Sequence, residues 1–102
     1  MATNGGGRAQ AAFAPEILME GEGVSVWLPQ LELYGEGTDL QSALDDLVDE
    51  VRSYSQLYLE QAPAYLASPN RAGHHPYVLQ ATELDREGRL GQVLAAAAEV
   101  RR

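Results

Sequence analysis

Cysteine is absent from the 102 residues, so neither a disulfide framework nor a thiolate metal site can form, and a reducing compartment is compatible. No apolar run approaches the roughly 18 residues of a membrane-spanning helix. The opening Met1-Ala2-Thr3-Asn4-Gly5-Gly6-Gly7-Arg8 has no apolar centre of the kind a secretory signal needs. Residues 1–10 read as a disordered lead-in to a single domain over 11–102, with the cytoplasm as the expected location. Positive charge is scarce as well: seven arginine or lysine residues face fifteen acids, for a net charge of −8. The imbalance is local. Residues 1–60 carry eleven acids against Arg8 and Arg52, or −9, and residues 61–102 come to +1. An acidic body repels phosphate backbones, so direct nucleic-acid binding is not expected, whereas a basic protein partner would be drawn to it.

What is present is a strand-rich first third followed by one long amphipathic segment. Glu16 to Met19 reads as a first strand, and Glu20-Gly21-Glu22-Gly23 as its hairpin turn. Val24, Val26 and Leu28 alternate with Ser25 and Trp27, the pattern of a half-buried strand. After Pro29-Gln30 the same alternation runs through Leu31 to Tyr34, completing an antiparallel three-strand meander. Thr38-Asp39-Leu40-Gln41 matches a capping box with Thr38 as the cap. On a helical wheel Leu40, Ala43, Leu44, Leu47, Val48, Val51, Tyr54 and Tyr58 share one stripe, predicting a helix over about 39–60 against one sheet face. Leu57 and Leu59 interrupt its polar side where the helix should overhang the sheet. A long connection, 61–76, leads to an expected fourth strand at Tyr77 to Leu84, then a turn at Asp85 to Gly88 and a C-terminal helix over 89–102. The fold class is therefore α+β: a four-stranded sheet, the long helix on one face, and a C-terminal helix packed elsewhere or across a dimer.

Candidate chemistry is sparse. His74-His75 could hold a metal weakly, but no third ligand sits at a fixed short spacing, and a plain loop is the better reading. Gly35-Glu36-Gly37 lacks the remaining glycines and the lysine of a phosphate loop, so a tight strand-to-helix turn is preferred. Asp45/Asp49 and Asp46/Glu50 are like-charged pairs four residues apart on one helix, each costing about 0.2–0.5 kcal/mol. Either this face is acidic for solubility or it receives a basic partner. Trp27 and Tyr34 should share the sheet face away from the helix, where a second subunit or the C-terminal helix would cover them. No catalytic residue, cofactor or metal ligand is assigned, and no enzymatic activity is expected.

The segment Val-Trp-Leu-Pro-Gln-Leu-Glu-Leu-Tyr-Gly-Glu-Gly-Thr-Asp-Leu-Gln-Ser-Ala-Leu-Asp-Asp-Leu-Val at 26–48 resembles the HicB-like antitoxin family. The likeness rests on Trp27, the Pro29 to Leu31 turn, Gly35 and Gly37, and the Thr38 to Ala43 helix opening, and it extends over about residues 16–84. It implies a partial ribonuclease-H-like fold and a protein that neutralises a small RNA-cleaving toxin. The family often represses its own operon, yet the tail after Leu84 shows no helix-turn-helix or ribbon-helix-helix module. The expected role is an antitoxin-like, non-catalytic protein that binds a basic toxin and self-associates. The acidic face of Asp45, Asp46, Asp49 and Glu50 would be the partner surface, and Trp27, Tyr34, Leu57 and Leu59 the oligomer or partner face. The competing readings are a small-ligand-binding or enzymatic α+β domain and a self-assembling structural domain.

Overall fold

β1 (Glu16–Glu20) and β2 (Gly23–Leu28) form a hairpin in which Glu20 faces Gly23 across the turn. β3 (Leu33–Gly37) adds antiparallel to β2, with Val26 opposite Gly35 and Trp27 opposite Tyr34. The computed structural model describes residues 12–100, so the expected lead-in at 1–10 lies outside the described residues, as do Arg101 and Arg102. Because side chains alternate along a strand, Ile17, Val24, Val26 and Leu28 are buried together while Leu18, Ser25, Trp27, Tyr34 and Glu36 share the opposite face.

α1 (Leu40–Glu60) lies across the buried face, contributing Ala43, Leu44, Leu47, Val51 and Tyr58 to the core. A fully buried leucine or valine stabilises the fold by about 1.5–3 kcal/mol, so this stripe is the main link between the layers. The cap falls one residue later than expected. Asp39, not Thr38, accepts from the Ser42 N–H at 2.8 Å, and Ser42 Oγ accepts in return from the Asp39 N–H at 3.3 Å. The box is thus Asp39-Leu40-Gln41-Ser42 rather than one closed by Gln41. Its backbone hydrogen bond holds the Asp39 carboxyl below the usual carboxylate range.

The third strand also begins later than the alternation suggests. Leu31, expected in the strand, instead plugs the core from a turn at 1 % exposure, and Glu32 takes a left-handed φ of 57°. Pro29 favours the break, and the turn closes with the Leu31 and Glu32 N–H groups donating to the Leu28 carbonyl.

The expected strand at Tyr77 to Leu84 is a helix. After the short α2 (Ala62–Ala67) and a 3₁₀ turn at Ala72–His74, α3 spans His75–Arg86 with Pro76 in its first turn. Val78, Ala81 and Leu84 are buried at three-residue spacing, whereas Leu79 is half exposed, so the helical period prevails over the β-forming character of Tyr77-Val78-Leu79. Just past α3, Gly88 takes a φ of 72° that lets its N–H donate to Asp85 O and the Arg89 N–H to Leu84 O, closing the helix end. α4 (Leu90–Ala97) is shorter than the expected 89–102, because Ala98 turns extended and Glu99–Val100 forms β4. β4 runs parallel to β1 with Glu99 opposite Glu16, and the Glu99 N–H donates to Pro15 O at 3.1 Å. The fourth strand of the mixed sheet, order β3-β2-β1-β4, therefore comes from the chain's end. Among the described residues no helix is long and apolar enough to cross a membrane.

Candidate functional site

The structure divides the acidic quartet. Asp46 turns inward to the sheet edge, where its Oδ2 accepts the Glu36 N–H at 2.9 Å. That N–H belongs to β3, an edge strand, so Asp46 satisfies a backbone donor that would otherwise invite pairing with another chain. Asp45 accepts from Gln41 Nε2 at 2.9 Å, and Asp49 pairs with Arg52 at 3.1 Å. Arg52 also grips Asp85 of α3 through Nε at 3.0 Å and Nη2 at 2.9 Å. That hydrogen-bonded pairing holds the Asp85 carboxyl below, and the Arg52 guanidinium above, their ordinary ranges. The like-charge repulsion inferred along the helix is thus partly offset by neighbours at helical spacing, Gln41 and Arg52, and by the distant Glu36 N–H and the Arg52–Asp85 pair, which the sequence does not display. Asp45, Asp49 and Glu50 remain exposed on the outer ridge of α1.

Trp27 and Tyr34 meet on the outer sheet face as expected, their ring centroids 4.5 Å apart and Tyr34 51 % exposed. Leu57 and Leu59 are exposed too, but they belong to the helical layer. Two residues apart on a helix, they point to different flanks of α1, so the four residues form separate patches.

A further cluster was not anticipated. His74, read as part of a plain loop, is 8 % exposed and bridges two elements. Its Nδ1 lies 2.6 Å from Tyr54 OH and its Nε2 lies 3.2 Å from Glu32 Oε2. With its proton on Nε2 the imidazole accepts from Tyr54 and donates to Glu32. Arg71 lies over the Tyr54 and Tyr65 rings at 5.5 and 5.3 Å, and its Nη1 reaches Tyr54 OH at 3.4 Å. Burial pushes the Tyr54 phenol up, outweighing the opposing pull of Arg71. Glu32, Tyr54, Arg71 and His74, with Leu31, Leu33 and Asn70, line a cleft of about 610 Å³. The available signals were the histidine pair and the Tyr54-x3-Tyr58 spacing, but nothing in the local pattern placed Glu32 beside a residue 42 positions away. Chemically the cluster can hold a proton between fixed partners and clamp the Leu28–Leu33 turn to the 3₁₀ segment. Among the described residues no group of three or more histidines and acids is placed to hold a metal ion.

Residues 10–95 match the model of a family described as PHD-like, antitoxin of toxin–antitoxin, RelE/RelB, TA system. No curated protein matches the chain. A similar solved structure is a crystal structure from Syntrophomonas wolfei subsp. wolfei, described as an antitoxin, part of a proposed toxin/antitoxin system. The two are 20 % identical with a TM-score of 0.76 over 88 % of this chain, which establishes a shared fold. This chain spans 64 % of that protein's length.

Proposed function

The chain belongs to the PHD-like antitoxin family of toxin–antitoxin systems, and on that premise we propose that it neutralises a small, basic, RNA-cleaving toxin by binding and occluding it, without catalysis. The family match over residues 10–95 carries the reading. The partner's basicity is supported by the net charge of −8 and by the exposed ridge of Asp45, Asp49 and Glu50. An RNA-cleaving partner is what the HicB-like segment at 26–48 implies.

Lysine at 45, 49 and 50 provides the test. Each reversal adds two charges, moving the net charge from −8 to −2, while Asp46 keeps its contact with Glu36. The variant should melt like the wild type but associate with the toxin about 10- to 1,000-fold more slowly at low salt. Raising salt should slow the wild type toward the variant, since screening removes the same attraction. Equal association rates at low salt would reduce the acidic ridge to a solubility device.

The Trp27/Tyr34 face supports self-association, because it places two large rings on an outer sheet face that no helix among the described residues covers. Light scattering should then give a mass near twice 11.0 kDa, and Trp27→Glu should return it to the single-chain value. A wild-type mass equal to one chain would remove the oligomer from the proposal. One observation favours a second function: the polar cleft around His74 is large enough for a small ligand, held between Glu32, Arg71 and Tyr54.

A further inference from the structure

The register of the sheet sets a row of side chains on the face that no helix among the described residues covers. Tyr34 stands opposite Trp27, Trp27 opposite Glu16, and Glu16 opposite Glu99, so two rings and two carboxylates cross all four strands in line. Glu36, two residues along β3 from Tyr34, and Glu20, at the end of β1, point to the same side. Glutamate is disfavoured in strands, and like charges directly opposite on neighbouring strands are destabilising, so this composition lowers the stability of the sheet. The described arginines, Arg52, Arg71, Arg86 and Arg89, all lie outside the sheet. Glu36, Glu99 and Tyr34 are exposed and Trp27 is half-buried, which leaves an acidic, aromatic surface. That surface is continuous with the acidic ridge of α1. Asp46 meets the Glu36 N–H at the β3 edge, and Asp49 and Glu50 follow it by three and four residues on the helix, so the carboxylates run round that edge onto the sheet.

We propose that this face docks an arginine-bearing segment of the toxin, one guanidinium stacked on Trp27 and Tyr34 and held by Glu36. The inference rests on the antitoxin reading above and names the surface on which the partner's cations come to rest. Charge complementarity selects the occupant. A second copy laid on the same face would set four carboxylates against another four, whereas a basic segment neutralises them. The two occupants compete for one face and the basic one prevails, so toxin binding separates the paired chains proposed above. The rings, in turn, select arginine over lysine. A planar guanidinium stacks flat on an aromatic ring and grips a carboxylate with two N–H groups at once, while an ammonium is a strongly hydrated point charge. Trp27 and Tyr34, with centroids 4.5 Å apart and planes tilted by 38°, present one continuous platform for it.

Trp27 is the chain's one tryptophan, so its fluorescence reports on this face. Hexaarginine titrated into the full chain should change that emission saturably, and hexalysine, of equal charge, should bind more weakly. Tyr34→Thr/Glu36→Gln should weaken hexaarginine binding about tenfold, one exposed cation–π contact and one exposed ion pair together. Both side chains are exposed and threonine suits a strand, so this variant should melt like the wild type. The isosteric Glu36→Gln alone should still weaken binding about twofold. No saturable change, equal affinity for the two peptides, or variants that bind as tightly as the wild type overturn the docking face. The toxin itself should bind the double variant about tenfold more weakly than the wild type. A toxin that binds both alike overturns its use of this face and keeps the antitoxin reading. A toxin that binds neither, with the peptide results as expected, overturns that reading and the proposed occupant with it.

Discussion

Gly35→Val should leave no cooperative thermal transition. A Cβ built at Gly35 would lie 2.2 Å from Ala43 O, 2.5 Å from Leu47 N and 2.6 Å from Leu47 Cβ. Two of these atoms are backbone of α1, so no rotamer change can make room; the helix itself must lift from β3. Gly35 sits opposite Val26, which is 0 % exposed, and lifting α1 there opens the centre of the core. Ordinary overpacking costs about 1–3 kcal/mol, and displacing a whole helix exceeds that within a total stability of about 5–15 kcal/mol. Gly23→Ala is the control. Its nearest neighbours are 3.7 and 3.8 Å away, ordinary contacts, so circular dichroism should show a melt close to the wild type. A folded Gly35→Val protein would mean that α1 does not pack on β3 in this register.

The glycine also shows what could be read from the chain before folding. Gly35-Glu36-Gly37 reads as a strand-to-helix turn, yet all three residues belong to β3, and the closeness of α1 to Gly35 is a property of two elements that only the fold displays. The long helix and the three-strand meander were legible because period 3.6 and period 2 are written in consecutive residues. The partnership of Trp27 with Tyr34 followed from the same alternation. Errors cluster where distant residues decide. Tyr77-Val78-Leu79 looks like a strand until Val78, Ala81 and Leu84 are seen facing α1. β4 is two residues long and exists only because the edge of β1 stands open beside it. The same holds for the sites. Exposed acids on α1 were visible, but not that Asp46 serves the β3 edge or that Arg52 joins Asp49 to Asp85. His74 looked idle because its partners Glu32 and Tyr54 lie 42 and 20 residues away.

Tyr58→Ala should bring the second large loss. Tyr58 is 0 % exposed, and its ring packs against those of Tyr54, Tyr65 and His75 at centroid distances of 5.9, 5.0 and 6.0 Å. Its hydroxyl donates to Arg71 O at 2.8 Å, tying the end of α1 to the segment that carries the cleft. Truncating a buried aromatic side chain costs about 3–5 kcal/mol, the cavity included, which for a domain of this size lowers the melting temperature by at least about 12 °C. Tyr58→Phe removes only the hydrogen bond and should cost about 1 kcal/mol at neutral pH. The two variants also differ in base. Burial pushes the Tyr58 phenol above its ordinary value of 10.0, so the folded state keeps a proton that the unfolded state releases. That contribution is complete below about pH 10 and is lost as pH rises from there through the folded value. Burial shifts Tyr54 the same way, and its share persists in the Phe variant. Melts between pH 8 and 11 should therefore fall less steeply for Tyr58→Phe than for the wild type. If Tyr58→Ala melted beside Tyr58→Phe, or the two alkaline slopes coincided, the ring would not be the buried pin joining α1 to the cleft.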